Sequence, residues 1–201
     1  MDEPWNHNVH YHPLVVGFVP DGCGRALDVG CGDGTLIRKL AARARDVTGV
    51  DRSPEMIAAA RARCGDLPHA RFAETDFPGT DPDLFAPGSY DFISAVAVLH
   101  HLDLPSALRA MAGLLAPGGR LAIIGLARTA SPLDWVLGAA QFPAVRVVDA
   151  LHGGARTAAA MPVRDPREPW SEVRRTSRRV LPGSRFRRHL LWRYSLLWQK
   201  P

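Results

Sequence analysis

The chain reads as an α/β protein: an open, doubly wound, mostly parallel sheet with helices on both faces. Three observations predict this. Strand-like and helix-like periodicities alternate through the first 127 residues, the pattern of parallel strands joined by crossover helices. Several strand candidates are short continuous apolar runs, which suits strands covered on both faces. The chain then closes on two β-rich runs behind a turn, adding a terminal strand pair. With 201 residues, 46% of them hydrophobic, there is enough apolar material for one sizeable core. A single domain over residues 1–201 is the expectation.

The elements follow in order. "RALDVGC" (25–31) is the first strand, and residues 33–44 read as a helix with Leu36, Ile37 and Leu40 on one side. "DVTGVD" (46–51) is the second strand. Ser53-Pro54-Glu55 starts the next helix with a capping hydroxyl, a first-turn proline and an acid at the positive end of the dipole. That helix runs to about Cys64, where Gly65 can close it. "ARFAETD" (70–76) and "SYDFISAVAVL" (89–99) are strands three and four. Pro105 opens a helix carrying Ala107, Leu108, Met111, Leu114 and Leu115 at helical spacing, "APGG" (116–119) stops it, and "RLAIIGLA" (120–127) is strand five. Ser131-Pro132-Leu133-Asp134 is a capping signature, and Pro143 should bend or break the helix of the apolar stretch behind it, which reaches Leu151. Asp165-Pro166-Arg167-Glu168 repeats the cap–proline–acid arrangement, "LPGS" (181–184) is a turn, and "RFRRHLLWRYSLLWQK" (185–200) holds the terminal pair.

Charge is distributed unevenly. Net charge is +5, yet residues 164–193 alone hold ten arginines against Asp165, Glu168 and Glu172. Such a patch attracts nucleic acid or an anionic carrier in one reading and is simply a solvated arginine-rich face in the other, plainer one. Cys23, Cys31 and Cys64 form no C-x-x-C pair, which argues against a disulfide framework or zinc site. No run of eighteen uncharged apolar residues suggests a membrane span, and the first residues lack a secretory pattern. The expectation is a reduced, cytoplasmic protein with no membrane association and an open oligomeric state.

The stretch "ALDVGCGDGTLIRKL" (26–40) raises the functional question. A G-x-G run between strand and helix suits a phosphate, a dinucleotide or a smaller nucleoside, because it brings backbone N–H groups to a helix N-terminus. The nicotinamide fingerprint wants a third glycine three residues after the second; that position is Thr35, with Gly34 one place early. A P-loop would need Gly-Lys-Ser/Thr, which is absent. Asp51 closes the second strand, 21 residues after Gly30, where a carboxylate can accept from ribose hydroxyls. Asp76 with Phe77 suits an adenine amino group and ring. Asp28 would repel a pyrophosphate but suits an ammonium. Adenine, ribose and a cationic tail together describe S-adenosylmethionine.

"LDVGCGDGT", "GVDRSPEMI", "ETDF", "YDFISAVAVLHHLD" and "LAPGGRLAII" resemble the successive motifs of class I S-adenosylmethionine-dependent methyltransferases, the small-molecule branch especially. The resemblance covers residues 26 to about 127 in register, and the terminal strand pair extends it. It implies a Rossmann-like, seven-stranded sheet whose last strand is antiparallel, with the cofactor across the carboxyl ends of strands one to four. The parts would be an N-terminal lid or helix (1–24), a cofactor-binding core (25–127), substrate-side helices (128–180) and the terminal pair (181–201). By position, Gly30, Cys31 and Gly32 would flank the methionine moiety, and Asp28 would act on its amino group directly or through water. Asp51 would hold the ribose, Arg52 and Met56 would pack the adenine, and Asp76 and Phe77 would read its edge and face. The backbone near Ala95 and Val96 would line the other side, and Tyr11 or a histidine of "WNHNVHYHP" (5–13) would close on the cofactor carboxylate. The plainer readings are that Cys31 is a small packing residue, that Asp28 caps its own loop, and that Asp51 and Asp76 serve turns.

Methyl transfer from a sulfonium is an in-line displacement, to which positioning contributes ~7–11 kcal/mol and a general base ~10²–10⁴-fold. His101 is the favoured base, with His100 second, although a Leu-His-His-Leu turn also serves structure. No acidic partners for a metal are apparent, so no metal is expected. The expected activity is methylation of a small molecule, a secondary metabolite being one class of acceptor. The alternatives are RNA or protein methylation using the arginine patch, and a cofactor-binding protein that assists a partner or a cyclisation without transferring methyl. No Asn/Asp-Pro-Pro-Tyr tetrad or Pro-Cys pair supports the nucleic-acid alternative.

Overall fold

The computed structural model describes residues 5–152 and 165–201. The first four residues, and Arg164 of the arginine-rich segment, lie outside the described residues. Seven strands form one sheet in the order β3-β2-β1-β4-β5-β7-β6. They are β1 (Cys23–Val29), β2 (Ala44–Asp51), β3 (Ala70–Glu74), β4 (Tyr90–Val96), β5 (Leu115–Gly125), β6 (Arg185–Arg188) and β7 (Tyr194–Gln199). β1 to β5 pair in parallel, and β7 is antiparallel to both β5 and β6. The strand order reverses between β1 and β4, which opens a crevice at their carboxyl ends, where ligands of such sheets bind.

Two apolar cores lie on opposite faces of this sheet. One gathers Val15 of α1 (His12–Val16), Leu36, Ile37 and Leu40 of α2 (Thr35–Leu40), and Ile57 of α3 (Pro54–Arg63). The other gathers Leu104, Leu108 and Met111 of α4 (Leu104–Leu114) with Trp170 and Val173 of α7 (Trp170–Val180). α7 shows why the sequence needs both faces. Trp170, Val173, Thr176 and Ser177 are buried at helical spacing, while Arg174, Arg175, Arg178 and Arg179 point outward. Ser53 accepts from the Met56 N–H and caps α3, with Pro54 in its first turn. Ser131 and Asp134 form a reciprocal capping box on α5 (Pro132–Ala140), and Pro143 sits in the first turn of α6 (Phe142–Leu151), so the apolar stretch breaks at Gln141.

Several boundaries differ from the expectation. The helix predicted over 33–44 is only α2, because Asp33 is engaged in the loop: it accepts from the Thr35 N–H and hydroxyl and pairs with Arg63 at 2.8 Å. The fourth strand stops at Val96, since Ala97 takes a left-handed conformation (φ 55°). β5 starts at Leu115, so "APGG" lies within the strand rather than before it. The signature at Asp165 does not start a helix. There the Arg128 N–H donates to the Glu168 carbonyl, Arg128 and Pro169 form a β-bridge, and α7 begins only at Trp170.

Candidate active site

The glycine run makes a loop whose amides are already spoken for. Gly30 and Cys31 donate their N–H groups to the Val50 carbonyl at 2.8 and 3.0 Å, Gly34 donates to Cys31, and Thr35 donates to Asp33. The Gly32 N–H donates to Asp51 Oδ2 at 3.0 Å. A phosphate cradle would aim such groups outward; here they weld the end of β1 to the end of β2. Gly30 is required on two counts. Its φ is +70°, and a Cβ there would stand 2.6 Å from Val98 Cγ2.

Above this loop lies a cavity of about 420 Å³, within the roughly 300–1,000 Å³ common for small-molecule sites. Gly30, Gly32, Asp51, Arg52, Met56, Asp76, Phe77, Val96, His100 and His101 all contribute to its wall, and the carboxyl ends of β1 to β5 supply most of the rest. The two acids on the wall stand at the β2–β3 end. Asp51 accepts from the Gly32 and Ser53 N–H groups through different oxygens, both at 3.0 Å. Each oxygen keeps a further lone pair for a ligand hydroxyl. Asp76 stands exposed two residues past β3, and Phe77 is buried edge-to-face against Phe85, with ring centroids 5.8 Å apart. His100 and His101 stand beyond β4 in a 3-10 turn (Leu99–His101), their rings 4.0 Å apart.

Four predicted residues are not on this wall. Tyr11 is buried and donates its hydroxyl to the Leu190 carbonyl at 2.6 Å, which anchors the N-terminal segment to the β6–β7 hairpin. His7, a histidine of the same N-terminal stretch, lines the wall with Asn6 and Asn8. His12 is buried too, and its burial holds its imidazole down at about 3. Cys31 turns into the core against Gly49, where burial raises its thiol far above the usual range and suits it to packing. Ala95 is fully buried; Val96, Ala97 and Val98 take the wall instead. Asp28 is 2% exposed and accepts from the Ser94 hydroxyl at 2.7 Å. Burial raises its carboxyl to about 7, and the Asp51 charge adds to this while the Ser94 bond opposes it.

The sequence reading missed Asn6, Val98, Leu126 and Arg193 on the wall. Val98 was discoverable, since it falls two residues past the predicted pair. Arg193 was concealed by composition, being one of ten arginines in a segment that is otherwise largely exposed. Among the described residues, no three His, Cys, Asp or Glu side chains gather into a metal-binding group, and no helix is long and apolar enough to cross a membrane.

Known proteins resemble this chain in sequence and fold. Residues 27–121 match the family profile described as a methyltransferase domain. An uncharacterized methyltransferase of Mycobacterium tuberculosis is 33% identical over 207 residues, covering 100% of both chains. A ubiquinone biosynthesis O-methyltransferase of Xanthomonas euvesicatoria is 38% identical over 109 residues, 52% of this chain and 44% of that one. Among solved structures, the N-methyltransferase NodS of Bradyrhizobium japonicum, in complex with S-adenosylhomocysteine, superposes with a TM-score of 0.65 at 20% identity, covering 100% of this chain and 93% of that one. With similarity to a methyltransferase over its full length, and a glycine loop tied to an acid at the next strand end, the chain belongs to the class I S-adenosylmethionine-dependent methyltransferase family.

Proposed function

We propose that this enzyme transfers a methyl group from S-adenosylmethionine to a small-molecule acceptor inside the cavity above β1–β5. The observation that carries the reading is the division of the wall: Asp51 and Asp76 at one end, the His100–His101 pair at the other. The residues present fit the donor molecule. Asp51 has lone pairs for two ribose hydroxyls, Asp76 suits the adenine edge, and Phe77 and Met56 give apolar contact to its ring. Asp28, buried and not itself on the wall, would act on the donor's ammonium directly or through water. S-adenosylmethionine supplies an electrophilic methyl on its sulfonium.

The chain's own contribution is alignment and proton removal. Val96, Ala97 and Val98 exclude water beside the reacting atoms, and His100 and His101 face the remaining volume. Nδ1 of both rings is buried, so Nε2 of His101 is the atom that takes the acceptor's proton as the new bond forms. A small acceptor suits a cavity of this size, and one relative is named for O-methylation in ubiquinone biosynthesis. Incubating the pure protein with methyl-labelled cofactor and a panel of small phenols, amines and carboxylic acids tests this. A product 14 Da heavier than one acceptor supports the proposal; cofactor binding without transfer to any of them counts against it.

A further inference from the structure

β7 runs antiparallel to its neighbours, so its beginning lies at the same edge of the sheet as the ends of the parallel strands: Tyr194 pairs with Gly125, the last residue of β5. Arg193, immediately before β7, thereby reaches the cavity wall from the side opposite Asp51 and Asp76. Its guanidinium is committed to neutral partners. Nε and Nη2 donate to Asn8 Oδ1 at 3.1 and 2.9 Å, and Nη1 donates to the Leu191 carbonyl at 3.0 Å. Of the five N–H donors of an arginine, two are left over.

This cation is enclosed without a carboxylate beside it among the described residues. Burial alone lowers its pKa to about 10, relieved only by Tyr11. Holding a charge in that state is unfavourable unless something compensates it. The backbone leading to it is strained as well. Leu191 and Trp192 both adopt left-handed conformations, with φ of 59° and 52°, which bulky L-residues rarely take. Leu191 is fully buried, and Trp192 packs on Phe142, which pins that turn. The fold thus tolerates two unfavourable features in order to aim one arginine at the cavity.

We infer that Arg193 binds an oxyanion, a carboxylate or phosphate, carried by the methyl acceptor, which makes the enzyme selective for acidic small molecules. The inference rests on the methyl-donor reading above. Arg193, His100 and His101 line the same cavity, and the sheet order puts Arg193 on the side away from Asp51 and Asp76. The donor's own carboxylate is the other source of such a group, but β7 is separated from the glycine loop of β1 by β4 and β5. Three strand spacings put roughly 14 Å between their backbones. The planar fork of an arginine matches both carboxylate and phosphate oxygens.

The test titrates benzoate, phenyl phosphate and the neutral methyl benzoate into the full chain, with and without saturating S-adenosylhomocysteine. Wild type, Arg193→Gln and Asn8→Ala are compared. The expected result is at least tenfold tighter binding of one anion than of the ester in wild type. That preference should vanish in Arg193→Gln and survive in Asn8→Ala, which breaks the tether to the N-terminal segment but keeps the charge. S-adenosylhomocysteine affinity should stay within threefold throughout. No anion preference in wild type overturns the inference, as does an equal loss in Asn8→Ala, which would make Arg193 a structural tether. A tenfold loss of S-adenosylhomocysteine affinity in Arg193→Gln would assign the arginine to the donor carboxylate and also overturn it. If Arg193→Gln does not fold, the Nε–H NMR signal of Arg193 in wild type decides: it shifts on adding benzoate if the inference holds and stays fixed if it does not. Failure of wild type to bind S-adenosylhomocysteine would reject the donor reading instead, and the titrations without it still decide the anion site.

Discussion

Replacing Asp28 by asparagine should make the protein more stable at pH 8 while weakening its hold on cofactor. The carboxyl rises from 3.8 to about 7 on folding, chiefly through burial. At 1.36 kcal/mol per unit, ionising Asp28 in the folded state costs about 4 kcal/mol at pH 8. The sign follows from proton counts. Between about pH 4 and pH 7 the folded state holds a proton that the unfolded state has lost, so stability is greatest below 4, falls as pH rises, and levels off above 7. At pH 5 the same penalty is only about 2 kcal/mol. Asparagine abolishes it at every pH, and its oxygen can still accept from Ser94, but its buried NH₂ costs about 1–3 kcal/mol of its own. The net gain at pH 8 is therefore about 1–3 kcal/mol. The sharper quantity is the change in the gap between variant and wild type, which should shrink by about 2–3 kcal/mol from pH 8 to pH 5. Thermal melts across that range would show this as a change of about 4–12 °C in the difference of Tm. In parallel, calorimetry at pH 7 in buffers of different ionisation enthalpy should detect proton release when S-adenosylhomocysteine binds wild type, because its ammonium favours the ionised Asp28. A Tm difference that does not vary with pH, together with no proton release, would refute the reasoning.

Gly30→Ala should lower Tm by about 4–16 °C, since left-handed strain and the clash with Val98 together cost about 2–4 kcal/mol, and it should abolish S-adenosylhomocysteine binding. Once an acceptor is in hand, His101→Ala should cut kcat by about 10²–10⁴-fold with little change in S-adenosylhomocysteine affinity, and His100→Ala should do less; equal activity in both variants would remove the base assignment. Tyr11→Phe loses the bond to Leu190, so a fall of about 1 kcal/mol in denaturant stability is expected with cofactor affinity intact. A tenfold loss of affinity would restore Tyr11 to the site.

Much of the fold was legible because its signals are local. The capping serines at 53 and 131, the break at Pro143 and the buried strand runs each follow from one short stretch, and each is present. What local reading lost was competition between segments. Asp33 looked like the start of a helix, but Arg63 and Thr35 hold it in the loop. Asp165 looked like a cap, but pairing of the following residues with Arg128 delays the helix. The site divides in the same way. Residues set by position after a strand, such as Asp51, Phe77 and His101, reach the wall. Side chains whose direction depends on a partner far along the chain, such as Tyr11 on Leu190 and Arg193 on Asn8, had no local signal.

The account stands on Asp51, which ties the glycine loop to β2 and is proposed to hold the ribose. Calorimetric titration of S-adenosylhomocysteine into wild type and Asp51→Ala decides it. Single-site saturable binding in wild type, weakened at least about 100-fold in the variant by the loss of two charge-assisted hydrogen bonds of about 1.5–3 kcal/mol each, is the predicted result. Absence of heat with folded wild type, or equal affinity in a folded Asp51→Ala, would contradict it.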